Sequence, residues 1–243
     1  MKRFGLIGKS LKHSFSQNYF SQKFLREGMN GCSYENFELP SIDAFTALLR
    51  SESELCGLNI TIPYKEEILP FLHTKNKIVE QVGACNCIKI IGSELHGYNT
   101  DVVAFRESLK KRLKAEHKCA LVLGSGGASK AIQFALTELN IDYLVVSRNK
   151  KTNQVGYEDV GEKLIRDHQI IINTTPLGMY PNIDQDPPIP YEAISSRHLL
   201  YDLTYNPEKT KFLRQGEAHG AEILNGYEML VAQAEESWRI WNG

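Results

Sequence analysis

The sequence predicts an α/β protein, because short apolar runs alternate with stretches of helical spacing along the chain. Two further observations refine this. A glycine-rich loop from Gly124 to Ser129 stands between an apolar run and a helical stretch. The texture also changes near Lys118, after which uninterrupted apolar strands alternate with helices, the pattern of a parallel sheet covered on both faces.

The elements follow in order. Residues 4–7 read as a strand, and Phe15, Tyr19, Phe20, Phe24 and Leu25 give 15–28 helical spacing. Residues 34–39 read as a strand and 41–50 as a helix. The strand at 57–62 stops at Pro63, and a helical stretch should follow, since proline is tolerated in a first turn. Residues 87–91 and 94–97 flank Gly92-Ser93, a hairpin signal, and 102–113 form a helix. Beyond Lys118, strands are expected at 119–123, 143–146, 169–172, 199–201 and 221–224. Helices are expected from the glycine-rich loop to about 139 and at 158–167 and 208–216, with a proline-rich loop at 181–190. The last helix, 227–241, carries Tyr227, Leu230, Val231, Ala234, Trp238 and Trp241 on one side, so it should dock on the body of the protein.

Composition narrows the function classes. The chain has 243 residues, enough for one or two domains, with 42% hydrophobic and 23% charged residues, as in an ordered globular protein. With 28 basic and 29 acidic side chains the net charge is -1, which gives no general attraction to nucleic acid or anionic membrane. No apolar run approaches the ~20 residues that span a bilayer. Lys9 and Lys12 interrupt the apolar stretch behind the first residues, so no export segment is expected. Five cysteines without a C-x-x-C pair, and seven histidines without a ligand array, point to reduced thiols in a cytoplasmic protein and to no metal.

Several motifs carry chemistry. Gly8-Lys9-Ser10 resembles the end of a phosphate-binding loop, but Arg3 stands where that motif needs its first glycine, which excludes an NTPase reading. Gly124, Gly126, Gly127 and Ala128 lie between strand and helix. There glycine lets backbone N–H groups approach a pyrophosphate at the helix N-terminus, so the loop points to a dinucleotide. The next strand ends in Ser147-Arg148-Asn149-Lys150-Lys151, with cations where an NAD site would carry an acid, which favours NADP. Lys65 follows the third strand near an expected helix start, where the dipole and partial burial would ready it for proton transfer; a solvated surface lysine is the plain alternative. Asp101 precedes a helix and reads as an N-cap, a role compatible with catalysis. Ser14 and Ser16 also precede a helix, as caps or as a carboxylate cradle.

Taken in order, the blocks H-S-x-S, N-I-T-x-P-x-K, G-A-x-N, G-x-N-T-D, G-S-G-G-A, N-T-T-P-L-G-M and G-x-x-M-L-V-x-Q resemble the shikimate dehydrogenase family from Gly8 to Gln233. The resemblance implies a substrate domain of residues 1–101 and 226–243, with a Rossmann-type NADP domain of residues 102–225 inserted between them. It places the active site in a cleft. It also implies reversible NADPH-dependent reduction of 3-dehydroshikimate to shikimate, on the route to chorismate and the aromatic amino acids.

By the same resemblance, Lys65 would exchange the proton at the reacting oxygen and Asp101 would orient Lys65 and the substrate. Ser14, Ser16 and Tyr205 would hold the carboxylate, and Thr61, Asn86 and Gln233 the hydroxyls. Gly124, Gly126, Gly127 and Ala128 would cradle the pyrophosphate, Arg148 would grip the 2′-phosphate, and Thr174, Leu203 and Gly226 would line the nicotinamide side. A monomer or homodimer is implied. The chain departs from the family pattern at Gln17, usually proline, at Cys87, usually threonine, and in the early Gly8-Lys9-Ser10. It also departs at Ser147-Arg148-Asn149, where Asn-Arg-Thr is common. Two other readings stand beside this one: a quinate/shikimate dehydrogenase with broader substrate or cofactor use, and a non-catalytic small-molecule sensor on the same scaffold.

Overall fold

A computed structural model describes residues 2–12 and 14–243; Met1 and His13, the latter the first residue of the H-S-x-S block, lie outside the description. The chain divides into two units, one running up to Thr100 and including Ala234–Gly243, the other spanning Asp101–Gln233.

The first unit contains β1 (Lys2–Gly8), α1 (Phe15–Arg26), β2 (Cys32–Glu38), α2 (Phe45–Ser51), β3 (Leu55–Ile60), β4 (Thr74–Lys75), α3 (Lys77–Val82), β5 (Cys87–Ile91) and β6 (Glu94–Tyr98). Helix α4 (Thr100–Lys110) leads out of it. Its sheet has the order β2-β1-β3-β5-β6-β4. The pairs β1/β2 and β1/β3 are parallel, and β3/β5/β6 run antiparallel. β1 is buried along most of its length, as a central strand should be. In α1, Phe20 and Phe24 are buried, four residues apart on one face, whereas Leu25 is exposed. Phe20 stacks on Tyr34 at 4.5 Å and meets Trp241 at 5.5 Å.

The second unit contains β7 (Cys119–Leu123), α5 (Gly127–Glu138), β8 (Asp142–Val146), β9 (Gln154–Val155), α6 (Glu162–Asp167), β10 (Ile170–Asn173), β11 (Leu199–Asp202), α7 (Lys211–Ala218) and β12 (Glu222–Leu224). Helix α8 (Tyr227–Asn242) then carries the chain back to the first unit. The six strands are all parallel, in the order β12-β11-β10-β7-β8-β9. This is the doubly wound order of a Rossmann sheet, with its reversal between β7 and β10. β10 and β11 are buried throughout, matching the continuous apolar runs of the sequence.

Several expectations are corrected. No α-helix follows Pro63; the segment is a run of turns with a 3-10 turn at Leu69–Phe71, and a helix forms only at Lys77–Val82. The helix read at 158–167 is split into a 3-10 turn at Tyr157–Asp159 and α6, because Gly161 is extended between them. The helix read from 208 begins at Lys211, where Thr210 caps it by accepting from Leu213 N–H. Residues 41–50 open as a 3-10 turn at Ile42–Ala44 before α2. The two-residue edge strands β4 and β9 have no signal in the sequence.

The second boundary between units falls inside α8, not ahead of it at 225/226. Glu228, in the first turn, pairs with Lys111 at 3.3 Å and Arg112 at 3.1 Å in the second unit. Ala234, Ser237 and Trp241, spaced along one face, are buried in the first unit. Tyr227, read as part of that apolar face, is largely exposed.

Candidate active site

The first unit gathers its predicted residues at one edge of the sheet. β1 and β3 end there side by side, since Ile7 pairs with Ile60 and Thr61 N–H donates to Ile7 C=O at 2.9 Å. β5 runs the other way, so its first residues lie at the same edge, with Cys87 opposite Asn59 and Tyr98. This brings Thr61, Asn86 and the Tyr98–Thr100 turn together. Ser14 and Ser16 arrive on the loop and first turn that follow β1. Ser14 is the N-cap of α1, its hydroxyl accepting from Gln17 N–H, and Ser16 stands inside the first turn, buried.

Lys65 is half-buried in the turn after Thr61. The preceding Tyr64 is buried, with its hydroxyl donating to Leu39 C=O at 2.7 Å, which pins the turn. Lys65 C=O accepts from Cys85 N–H at 2.8 Å, one residue before Asn86. No helix begins at this lysine, so the dipole argument made from the sequence does not apply to it. Asn86 binds Thr100 through both ends of its amide: Oδ1 accepts from Thr100 N–H at 2.7 Å, and Nδ2 donates to Thr100 Oγ1 at 3.0 Å. Asp101 is therefore not the cap of α4 but its second residue, buried in the first turn, where the helix dipole favours a carboxylate.

The second unit gathers its own set at the carboxyl ends of its parallel strands. After β7, Gly124 takes φ +108°, open to glycine, and a Cβ there would come within 2.7 Å of Thr174 Oγ1. Gly126 is the N-cap of α5 without a side-chain cap bond, and a Cβ on it would meet nothing within 4 Å, so backbone and open space face outward at this helix start. Gly127 and Ala128 form the first turn. Ser129, at the close-packing position, is buried and donates to Gly124 C=O at 2.8 Å, so its hydroxyl serves the loop. Thr174, after β10, donates to Leu123 C=O at 2.8 Å.

Arg148 is exposed in the turn after β8. Its neighbour Lys150 is paired with Glu158 at 3.2 Å and Asp159 at 3.0 Å. Ser147, at the root of this turn, places its hydroxyl 2.9 Å from that of Ser125 in the glycine-rich loop. After β12, Gly226 approaches Leu203 so closely that a Cβ would overlap the Leu203 carbonyl. Tyr205 is half-buried and its phenol is pushed up by desolvation. Gln233 lies on α8 with its amide donating to Leu230 C=O at 3.1 Å. Gly124, Arg148, Thr174, Leu203 and Gly226 thus all lie just beyond the carboxyl ends of the parallel strands, the side on which ligands of doubly wound folds bind.

Two groups of functional interest escaped the sequence reading. Asp202, at the end of β11, is fully buried, and burial pushes its carboxyl up. It accepts from Thr210 Oγ1 at 2.7 Å, Thr204 N–H at 2.9 Å and Asn173 Nδ2 at 3.2 Å. Asn173 in turn accepts from Thr175 N–H at 3.0 Å, so this buried pair shapes the loops carrying Thr174 and Leu203. The second group is Tyr34, Asn59 and Ser237 beneath the first sheet's edge. Asn59 and Asn173 lie within the quoted blocks, but their burial is a tertiary property without a local signature.

Comparison with known proteins places these features in context. A family profile described as "Shikimate dehydrogenase substrate binding domain" matches residues 6–88. The NADP(+) shikimate dehydrogenase of Caldicellulosiruptor saccharolyticus is 35% identical over 99% of this chain and 92% of its own. The structure of a Thermus thermophilus shikimate 5-dehydrogenase in complex with NADP(H) and shikimate superposes with TM-score 0.89 at 29% identity, covering 100% of this chain and 94% of that one. A Corynebacterium glutamicum quinate dehydrogenase in complex with NAD gives TM-score 0.89 at 25% identity, covering 100% and 95%.

Proposed function

The chain belongs to the shikimate dehydrogenase family, and on that premise we propose that it catalyses the reversible NADPH-dependent reduction of 3-dehydroshikimate to shikimate. The observation that carries the reading is the convergence at one sheet edge of Ser14, Ser16, Thr61, Lys65 and Asn86. Hydroxyls, an amide and an ammonium there complement a polyhydroxylated carboxylate. Most residues assigned to the substrate belong to the first unit, with Asp101, Tyr205 and Gln233 in the second, and those assigned to NADP all belong to the second.

The residues of the second unit fit NADP. The left-handed Gly124 and the unobstructed Gly126 leave the start of α5 open to a pyrophosphate, and exposed Arg148 stands at the end of β8, where the 2′-phosphate is read. When bound, NADPH supplies the hydride chemistry that no side chain can provide. The chain's own residues bind, orient and move a proton. Ser14, Ser16 and Tyr205 hold the substrate carboxylate; Thr61, Asn86 and Gln233 hold its hydroxyls. Negative charge develops on the carbonyl oxygen during reduction, and the Lys65 ammonium stabilises it and then donates a proton. Asp101 orients the reacting hydroxyl. Thr174, Leu203 and Gly226 line the nicotinamide side.

Retention of both Lys65 and Asp101 disfavours a sensor without catalysis. The five cysteines are free thiols, which suits a cytoplasmic setting. Among the described residues no helix is long and apolar enough to cross a membrane. A steady-state assay with shikimate or quinate, each with NADP or NAD, tests the reading. Turnover should be fastest with shikimate and NADP; no turnover in any combination would overturn it in favour of a sensor, and faster quinate oxidation would move the assignment to a quinate dehydrogenase.

A further inference from the structure

A chain of buried hydroxyls and amides runs under the substrate edge of the first unit. The Ser16 hydroxyl lies close enough to the Tyr34 phenol to influence it. Tyr34 donates to Asn59 Oδ1 at 2.9 Å. The Asn59 amide donates to Ser237 Oγ at 2.8 Å and to Asn86 C=O at 3.2 Å. Ser237 Oγ stands 3.5 Å from Thr100 Oγ1, which accepts from Asn86 Nδ2 at 3.0 Å. Ser16, Tyr34, Asn59, Asn86, Thr100 and Ser237 are all buried. Burial also raises the Tyr34 phenol well above its usual range, so it stays protonated and remains a donor.

The two ends of this chain are the groups assigned above to opposite ends of the substrate. Ser16 serves the carboxylate and Asn86 the hydroxyls, so the inference rests on that reading. The middle of the chain has no substrate role: Tyr34 comes from β2 and Ser237 from α8. A fully paired buried network fixes its members relative to one another more tightly than packing alone. Binding groups held by such a support lose less freedom when the ligand arrives.

We propose that Tyr34 and Ser237 are positioning residues which, through Asn59, hold the carboxylate-binding hydroxyl of Ser16 and the hydroxyl-binding amide of Asn86 at one fixed spacing. The substrate favoured by that spacing is a ring carrying its carboxylate at one end and vicinal hydroxyls at the other. Affinity for this class therefore depends on side chains that never touch it.

Tyr34→Phe and Ser237→Ala each delete one oxygen and test this. Each should raise KM for shikimate about fivefold to tenfold, the effect of losing one buried hydrogen bond. The Kd for shikimate, measured by calorimetric titration, should rise by the same factor. KM for NADP should stay within about twofold, because its residues lie in the other unit. The double variant should be no worse than the poorer single one, since both break the same chain. A lowered melting temperature with unchanged KM and Kd for shikimate in either folded variant would reduce the network to a structural role and overturn the proposal, as would strictly additive losses. Wild-type protein run alongside separates the two claims. If it turns over shikimate and the variants match it, the positioning role alone falls; if it neither turns over nor binds shikimate, the enzymatic reading falls and this inference with it.

Discussion

Asn86 holds Thr100 with both ends of its amide, accepting the backbone N–H at 2.7 Å and donating to the hydroxyl at 3.0 Å. The N–H it accepts belongs to the first residue of α4, one of the donors a helix start leaves without an intrahelical partner. The side chain assigned to a substrate hydroxyl therefore also terminates the helix whose next residue is Asp101. Because Lys65 C=O is bonded to Cys85 N–H, the same short segment, Cys85-Asn86, ties the lysine turn to the helix start.

Asn86→Ala should therefore cost more than a substrate contact. It leaves a buried N–H unpaired, a loss of about 1–3 kcal/mol. Urea unfolding should show that loss together with reduced kcat/KM for shikimate. Full stability with reduced activity would assign Asn86 to the substrate alone.

Gly57 in β3 lies against the Trp241 indole, whose N–H donates to Ile88 C=O at 3.0 Å. A Cβ there would overlap the ring. Gly57→Ala should destabilise the first unit by about 1–3 kcal/mol, the usual cost of overpacking. The unfolding midpoint followed by tryptophan fluorescence reads this, and an unchanged midpoint would contradict the close packing.

Arg148→Ala should weaken NADP binding about tenfold or more and change NAD binding little, since only NADP carries the 2′-phosphate that a guanidinium grips. Fluorescence titration of each cofactor measures this without turnover. Equal weakening of both would show that Arg148 does not read that phosphate.

Asp202 gives a pH signature. Burial is the largest influence and raises its carboxyl above the ordinary 3.8, against the hydrogen bonds from Thr210, Thr204 and Asn173. A carboxyl raised on folding binds its proton more tightly in the folded state. Its contribution to stability is therefore greatest below the ordinary value and is lost as pH rises through the folded value. Asp202→Asn has no such titration. Urea stabilities measured from acidic to neutral pH should show the wild type losing ground to Asp202→Asn as pH rises above 3.8. Parallel curves would show that Asp202 ionises in the folded protein as it does in the unfolded chain.

The second unit was the more legible half. Its strands are buried on both faces, so 119–123 and 199–201 are uninterrupted apolar runs, and Gly124 and Gly126 mark the loop between strand and helix. The first unit mixes parallel and antiparallel strands, and the segment after Pro63 that carries Lys65 is held by long-range contacts. Tyr64 bonded to Leu39 and Lys65 bonded to Cys85 replace the helix that local pattern suggested. Alternation also failed at element ends: Leu25 and Tyr227 have apolar faces yet point to solvent. The residues proposed for catalysis and binding could be singled out because the order of their blocks along the chain resembles one family. Tyr34, Ser237 and Asp202 could not, because an interior side-chain hydrogen bond between separate elements leaves no periodicity to read.

The central claim is that the Lys65 ammonium transfers the proton at the reacting oxygen, and kcat of Lys65→Ala for shikimate oxidation by NADP tests it most directly. A loss on the order of 100-fold or more, with KM for shikimate changed far less, is the predicted result. A variant turning over at close to the wild-type rate would contradict it and require another proton carrier.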